Sequence, residues 1–211
     1  METLQKGDLI TPVNLLLLPA RYDMESAARV FYRPRATNLY GILRPRPVKR
    51  SPRGLPASLE LVWMPVYIFR MQLSKGEKRS DTWVSVDASF GGFALFDRLS
   101  VLEERAPEGA VFDPVISEEA AERIARFETV RYLLRRRGAK PNIDGVAEHR
   151  LYYTPVWVYY FRRFGSKIDL AVLDGYTGEK MGGRMRIAVL DAFIRTRKER
   201  LAQAGHEQHR T

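Results

Sequence analysis

The 211-residue chain contains no cysteine. Disulfide bridges, thiolate catalysis and cysteine-ligated zinc sites are therefore excluded. Its three histidines, His149, His206 and His209, lack the spacing of metal ligands on a shared element. No phosphate-binding glycine motif accompanies Gly91-Gly92 or Gly182-Gly183. We therefore expect no metal site, no cofactor and no catalytic residues.

The chain also lacks a hydrophobic run of membrane-spanning length. The charge-free stretch from Leu9 to Ala20 is shorter than the ~20 apolar residues that a bilayer requires. It follows Asp8 and has no basic region before it, unlike a signal peptide. The pattern predicts a buried strand within Leu9–Leu18 and a cytoplasmic protein with no membrane span. The absence of cysteine fits a reducing compartment.

Positive charge is in excess. Lys and Arg number 35 against 25 Asp and Glu, a formal net charge of +10. Such an excess favours acidic partners, namely nucleic acid, an anionic surface or an acidic protein. Basic residues are dense in Arg131–Lys140, where a helix C-terminus partly explains them, and in Arg44–Gly54. Three prolines in the second segment exclude a helix or an inner strand, so we expect an exposed arm. Its candidate partner-binding residues are Arg44, Arg46, Lys49, Arg50 and Arg53.

A short phrase occurs once in each half of the chain. Trp63–Phe69 is echoed by Tyr153–Tyr159, with a proline at the third position of each. A second apolar run then ends in Asp-x-x-x-Gly, first at Asp87 and again at Asp174. Self-similarity of this kind predicts a duplicated strand-turn unit, with Pro65 equivalent to Pro155 and Asp87 equivalent to Asp174.

Helical periodicity occurs in three places. Asp23 is placed to cap a short helix that ends before Pro34, and Ser117 to cap a longer one that stops at Gly138. A C-terminal amphipathic helix is predicted from about Met185 to about Gln203. One face of the second helix is predicted to be lined by Ala121, Ile124, Phe127, Val130 and Leu134. On the C-terminal helix, one face is predicted to be basic, and the apolar face opposite it to contain Ile187, Leu190, Phe193, Ile194 and Leu201.

These elements predict an α+β fold. Each half consists of a helix followed by antiparallel strands, and two such halves related by pseudo-symmetry would cover one another. Residues 1–98 then form the first repeat with an N-terminal extension, and 99–116 a charged connector. Residues 117–184 form the second repeat, and 185–211 the C-terminal helix and tail.

The second half has a characteristic set of residues, and the entry to the first helix, Leu18–Ala28, adds to it. The set comprises Tyr153, Pro155, Trp157, Asp174, Thr177, Gly178 and Gly182. This pattern resembles the PepSY-like and cystatin-like repeats, and more specifically the duplicated module that follows a zinc ribbon in a group of uncharacterised prokaryotic proteins. The ribbon is absent here because there is no cysteine, so a nucleic-acid role tied to it does not carry over. The family has no established catalytic residues, so the resemblance implies a fold rather than an activity.

Two sets of residues invite a functional interpretation. Asp87 and Asp174 are a pair of carboxylates, but an Asp at a strand end usually accepts hydrogen bonds from its own turn. Aromatic residues on the two echoed strands are either the core beneath the helices, which we favour, or a stacking platform for single-stranded nucleic acid. The platform would comprise Trp63, Tyr67, Tyr153, Trp157 and Tyr159.

The lack of chemistry, together with the basic arm, favours a non-enzymatic protein-interaction module. We expect an adaptor or accessory subunit of a larger intracellular assembly, with a protein partner. One alternative is a basic nucleic-acid-binding protein. The other is an enzyme with a carboxylate site around Asp87 or Asp174.

Overall fold

The computed structural model describes residues 14–32, 46–47, 59–97, 99–135, 141–162 and 168–208. Over these residues the chain forms three α-helices, one short 3-10 helix and a nine-stranded sheet, which confirms the α+β class. The helices are α1 (Met24–Tyr32), α2 (Glu118–Arg135) and α3 (Gly183–Gln208), and the 3-10 helix is Leu99–Val101. The strands are β1 (Leu15–Leu17), β2 (Arg46–Pro47), β3 (Leu59–Lys75), β4 (Lys78–Asp87), β5 (Phe93–Leu95), β6 (Glu103–Arg105), β7 (Ala110–Val111), β8 (Asn142–Arg162) and β9 (Ile168–Asp174).

Two long antiparallel strands, β3 and β8, form the centre of the sheet. Their pairing extends from Leu59 opposite Tyr159 to Ser74 opposite Asn142. Within it, Met64 lies opposite Thr154, and each of these residues directly precedes the proline of its own strand. Both strands are apolar on both faces, and such strands are stable only where both faces are covered. The two echoed phrases therefore lie side by side in the middle of the protein.

The remaining strands extend this pair on both sides. The main order is β5-β4-β3-β8-β1-β6, and β9 pairs antiparallel with the C-terminal part of β8. The predicted connector joins the sheet, because β6 pairs with β1 and β7 pairs with β3. The basic segment contributes Arg46 and Pro47, which pair with Phe161 and Arg162 of β8. These two residues form a short strand where an exposed arm was expected, and the rest of the segment lies outside the described residues.

The sheet is covered on both faces. Side chains alternate along a strand, so between Leu59 and Arg70 the odd-numbered residues of β3 and their odd-numbered partners in β8 share one face, and the even-numbered ones share the other. Irregularities after Arg70 shift the register beyond that point. On the odd face, α2 covers Tyr67 and Phe69, and α1 covers Trp157. On the even face, α3 covers Met64 and Val158. The result is a three-layered arrangement with α1 and α2 on one side and α3 on the other.

Two kinds of backbone hydrogen bond each occur twice in the fold. One kind links the residue after a β-strand aspartate to the echoed proline, and another ties the entry to a helix to the central strand of the other half. Of the first kind, the Ala88 amide donates to Pro65 O at 3.0 Å, and the Gly175 amide donates to Pro155 O at 2.8 Å. Of the second kind, the Leu18 amide donates to Tyr153 O at 2.9 Å, and the Phe112 amide donates to Trp63 O at 3.1 Å.

The predicted helix caps are confirmed. The Ser26 amide donates to Asp23 Oδ1 at 2.8 Å, and the Ala120 amide donates to Ser117 Oγ at 3.3 Å. Each side chain satisfies an amide that the first helical turn leaves without a partner. The C-terminal helix is longer than expected at both ends.

Candidate functional site: two exposed apolar stripes

All five residues of the alternative aromatic platform are buried. Trp63 is fully inaccessible, and each of the other four exposes less than a tenth of its surface. Indole Nε1 of Trp63 donates to Glu108 O, and that of Trp157 donates to Tyr22 O, both at 2.7 Å. Burial raises the pKa of the Tyr67 and Tyr153 phenols, so both stay protonated at neutral pH. This packing supports the core interpretation, because no ring face is open to a nucleic-acid base.

The two repeated aspartates lie far apart and hold their own turns. Asp87 Oδ1 accepts hydrogen bonds from the amides of Ser89 (2.7 Å) and Phe90 (3.2 Å). Asp174 Oδ1 accepts from the amides of Tyr176 and Thr177 at 2.7 and 3.0 Å. Asp87 ends β4 and Asp174 ends β9, and β3 and β8 lie between them. Three strand spacings amount to about 14 Å, so the two carboxylates do not converge on one reaction centre.

Asp87 is expected to make stability depend on pH. Burial raises the pKa of its carboxyl, and the Ser89 and Phe90 amides only partly offset this. A raised pKa means that the folded state binds the proton more tightly than the unfolded state does. The protonated carboxyl therefore stabilises the fold in acid, and this contribution to the free energy of unfolding is lost as the pH rises through the pKa of the folded state. Asp87→Asn keeps the Oδ1 acceptor but cannot ionise. We therefore expect its free energy of unfolding, relative to wild type, to rise between pH 3 and pH 7 in urea titrations.

Asp87→Ala supplies the control, because it removes the acceptor as well as the charge. It should destabilise by about 1–2 kcal/mol at neutral pH, since two turn amides lose their partner. A difference between Asp87→Asn and wild type that stays constant across pH would contradict the buried-carboxyl explanation.

Of the five candidate residues of the basic arm, Arg46 alone lies within the described part of the chain. Arg44, Lys49, Arg50 and Arg53 lie outside the described residues, and of Arg46 only the backbone pairing with β8 is described. In the other basic segment, Arg131–Lys140, Arg131 pairs with Glu128 at 2.6 Å on α2. The basic arm therefore remains a prediction from sequence.

The face of α2 that contacts the sheet differs from the predicted one. Ala121, Ala125, Thr129 and Leu133 are buried, whereas Phe127, Val130 and Leu134 are exposed by 63, 44 and 58 %. Of the five residues predicted to share one face, only Ala121 and Ile124 pack against the sheet. We call Phe127, Val130 and Leu134 the α2 stripe. They follow one another at i, i+3 and i+7 on the side of the helix opposite its buried face.

Helix α3 repeats this arrangement on the other face of the sheet. Met185, Ala188, Val189 and Ala192 are buried, and Phe193 is partly buried. The prediction of a basic face opposite the apolar residues was wrong, because that face is apolar and packs against the sheet. Ile187, Leu190, Ile194 and Leu201, the α3 stripe, are exposed by 59, 36, 52 and 64 %.

Packing density explains why the smaller residues face inward. The sheet already presents bulky side chains, such as Tyr67 and Phe69 beneath α2, and a helix with large residues on the same side would overfill the layer. Alanines allow the helix backbone to approach closely instead. Both helices carry the same Ala-x-x-x-Ala-x-x-x-Thr spacing on the inward side, from Ala121 in α2 and from Ala188 in α3. This shared motif is the signal in the sequence that could have identified the buried faces.

A cleft of about 320 Å³ opens on the even face of the sheet. Leu16, Trp83 and Leu102 supply its apolar wall, and Glu148 lies at its polar side. Glu148 Oε1 is already paired with Arg150 Nη2 at 2.6 Å, so this carboxylate is not held ready for a ligand. The cleft is a weaker candidate site than the two stripes.

Among the described residues, no cluster of three or more His, Asp or Glu side chains is arranged to hold a metal ion. Within that same part of the chain, no helix has the length and apolar character needed to cross a membrane. Comparisons with protein families, with curated protein sequences and with solved structures found no match.

Proposed function

We propose that this protein is a non-enzymatic interaction module, an adaptor or accessory subunit of a larger intracellular assembly. The observation that carries the proposal is the pair of apolar stripes on α2 and α3. The two helices lie on opposite faces of one sheet, so their stripes point away from each other. A module of this shape holds two partners apart and fixes their relative position.

Single exposed apolar residues are common on protein surfaces and need no explanation. Here, however, three side chains on α2 and four on α3 align along their helices, each opposite the buried face. The helices are anchored by their alanine faces, as with Ala125 and Ala192, so the stripes are presented on rigid elements. A rigid surface loses little conformational entropy when a partner binds, which favours binding.

Internal duplication is part of the proposal. We infer that β1-α1-β3-β4 and β7-α2-β8-β9 are two copies of one unit, related by a pseudo-twofold axis between Met64 and Thr154. In support, the register places Trp63 opposite Pro155 and Pro65 opposite Tyr153, as such an axis requires. The matched hydrogen bonds and the two aspartate turns are consistent with the same relation. The PepSY-like or cystatin-like character of this unit remains a proposal that rests on the sequence resemblance.

The adaptor proposal predicts that both stripes are needed to retain partners. Phe127→Ser/Val130→Ser and Ile187→Ser/Ile194→Ser each replace exposed residues, so the melting temperature should change little. Tagged protein should capture specific proteins from the cells that express it. Capture of at least one should fall about tenfold or more for each double variant, because central apolar contacts dominate binding energy.

Nuclease treatment and two salt concentrations distinguish the nucleic-acid alternative. Capture that resists nuclease and depends on the stripes supports the adaptor. Capture that nuclease abolishes, falls steeply with salt and ignores both double variants would instead establish a basic nucleic-acid-binding protein.

A further inference from the structure

We infer that the α3 stripe binds an acidic amphipathic helix of a partner protein, in a short two-helix coiled coil. This inference rests on the proposed interaction function and names the class of partner for one of its two surfaces. The helix in the partner would carry apolar residues at a and d and Glu or Asp at the flanking e and g positions.

The spacing of the stripe is that of a coiled-coil seam. Ile187, Leu190, Ile194 and Leu201 take the positions a, d, a and a of successive heptads. They span about 60° around the helix and about 21 Å along it. A narrow a/d seam of this kind fits a second helix, whereas a helix lying in a membrane surface needs a broader apolar face, usually with aromatic residues.

Positive charge borders the seam. The flanking e and g positions include three basic residues, Arg184, Arg186 and Lys198, and one acidic residue, Asp191. Arg197 occupies a d position within the seam itself. Arg197, Lys198 and Arg184 are exposed. Arg186 Nη2 is paired with Asp169 at 2.8 Å, so it is partly neutralised, but the others are placed to meet carboxylates.

The same charges disfavour a second copy of this chain as the occupant. A parallel pair of α3 helices would place Arg197 opposite Arg197 within the seam and would bring like-charged flanks together. An antiparallel pair would also bring two basic flanks together. An acidic partner helix removes both penalties and gains charge-assisted contacts.

Half of the coiled coil is already formed. The face of α3 opposite the seam is fixed against the sheet by Met185, Val189 and Ala192, so only the partner helix must become ordered on binding. Two heptads are too few for a stable coiled coil between free peptides. Anchoring one helix in advance lowers the entropic cost of forming this one.

The test uses the full-length protein and two synthetic three-heptad peptides with Ile at a and Leu at d. One peptide has Glu at every e and g position, and the other has Lys. Fluorescence anisotropy should show the Glu peptide binding about tenfold or more tightly than the Lys peptide, with a preference that weakens at high salt. Ile187→Ser/Ile194→Ser should reduce binding of the Glu peptide by about tenfold or more. Phe127→Ser/Val130→Ser on α2 is the matched control and should leave it unchanged.

Charge reversal provides a second, independent readout. The double variant Arg197→Glu/Lys198→Glu should no longer bind the Glu peptide and should bind the Lys peptide instead, and its melting temperature should equal that of the wild type. Equal binding of the two peptides would overturn the acidic-helix inference. So would dimerisation of the protein alone in sedimentation, or binding of phosphatidylserine-containing vesicles without binding of either peptide.

The outcome also separates this inference from the adaptor proposal. If cellular capture depends on Ile187 and Ile194 but the Glu peptide does not bind, the adaptor stands and its partner is not an acidic helix. If neither capture nor peptide binding depends on these residues, both proposals fail.

Discussion

Replacing Trp157 with alanine is expected to lower the free energy of unfolding by about 3–5 kcal/mol. The side chain lies on the odd face of β8, in a cluster with Ala27, Leu59 and Leu173 beneath α1. Its removal leaves a cavity in that cluster. It also deprives Tyr22 O of the indole donor that ties the entry of α1 to the sheet. Chemical denaturation measures the loss.

Two further variants show where the loss comes from. Trp157→Phe keeps much of the apolar volume but not the donor, so it should cost clearly less than alanine. Phe127→Ala removes an aromatic ring that is 63 % exposed and should change stability by less than about 1 kcal/mol. If Trp157→Ala left stability nearly unchanged and abolished binding of single-stranded nucleic acid, the aromatic residues would be a platform rather than core.

Features decided by neighbouring residues could be predicted from the sequence. The caps at Asp23 and Ser117 and the turns at Asp87 and Asp174 depend on a side chain within three residues of the amide that it satisfies. The α+β class follows from alternating helical and strand periodicities, which are also local.

The face that each helix buries could not be predicted in the same way. It depends on how much volume the sheet leaves beneath the helix, and residues far away in sequence determine that volume. Phe127 and Ile194 are more hydrophobic than Ala125 and Ala192, so a prediction from hydrophobicity alone selects the helix face that is exposed in the structure. The sheet, crowded by residues such as Tyr67 and Phe69, accepts the alanine side instead. The positions of the exposed stripes, and therefore of the candidate site, depend on how the helices pack on the sheet.

Net charge also bears on the adaptor proposal. The chain carries +10 overall, so an acidic partner of the α3 stripe would be attracted to it over a long range. Long-range attraction of this kind raises the rate of association more than it raises affinity.

Replacing Gly178 with alanine is expected to destabilise the protein by about 2–5 kcal/mol, clearly more than the equivalent change at Gly91. Both glycines follow a β-strand aspartate by four residues and have left-handed φ values of 74° and 75°. Alanine in that conformation costs about 1–2 kcal/mol at either position. At Gly91 the new Cβ would lie 3.0 Å from Ile124 Cδ1, the end of a flexible side chain that can move aside.

At Gly178 the new Cβ would instead overlap the ring of Tyr22. That ring cannot withdraw easily, because the Tyr22 amide donates to Gly175 O at 2.9 Å and Tyr22 O accepts from the Trp157 indole. Overpacking of this kind adds about 1–3 kcal/mol. A double-mutant cycle identifies the cause: in a Tyr22→Ala background, Gly178→Ala should cost about as much as Gly91→Ala does in wild type, because only the backbone penalty remains. Equal losses at the two glycines in the wild-type background would show that Tyr22 does not constrain the turn.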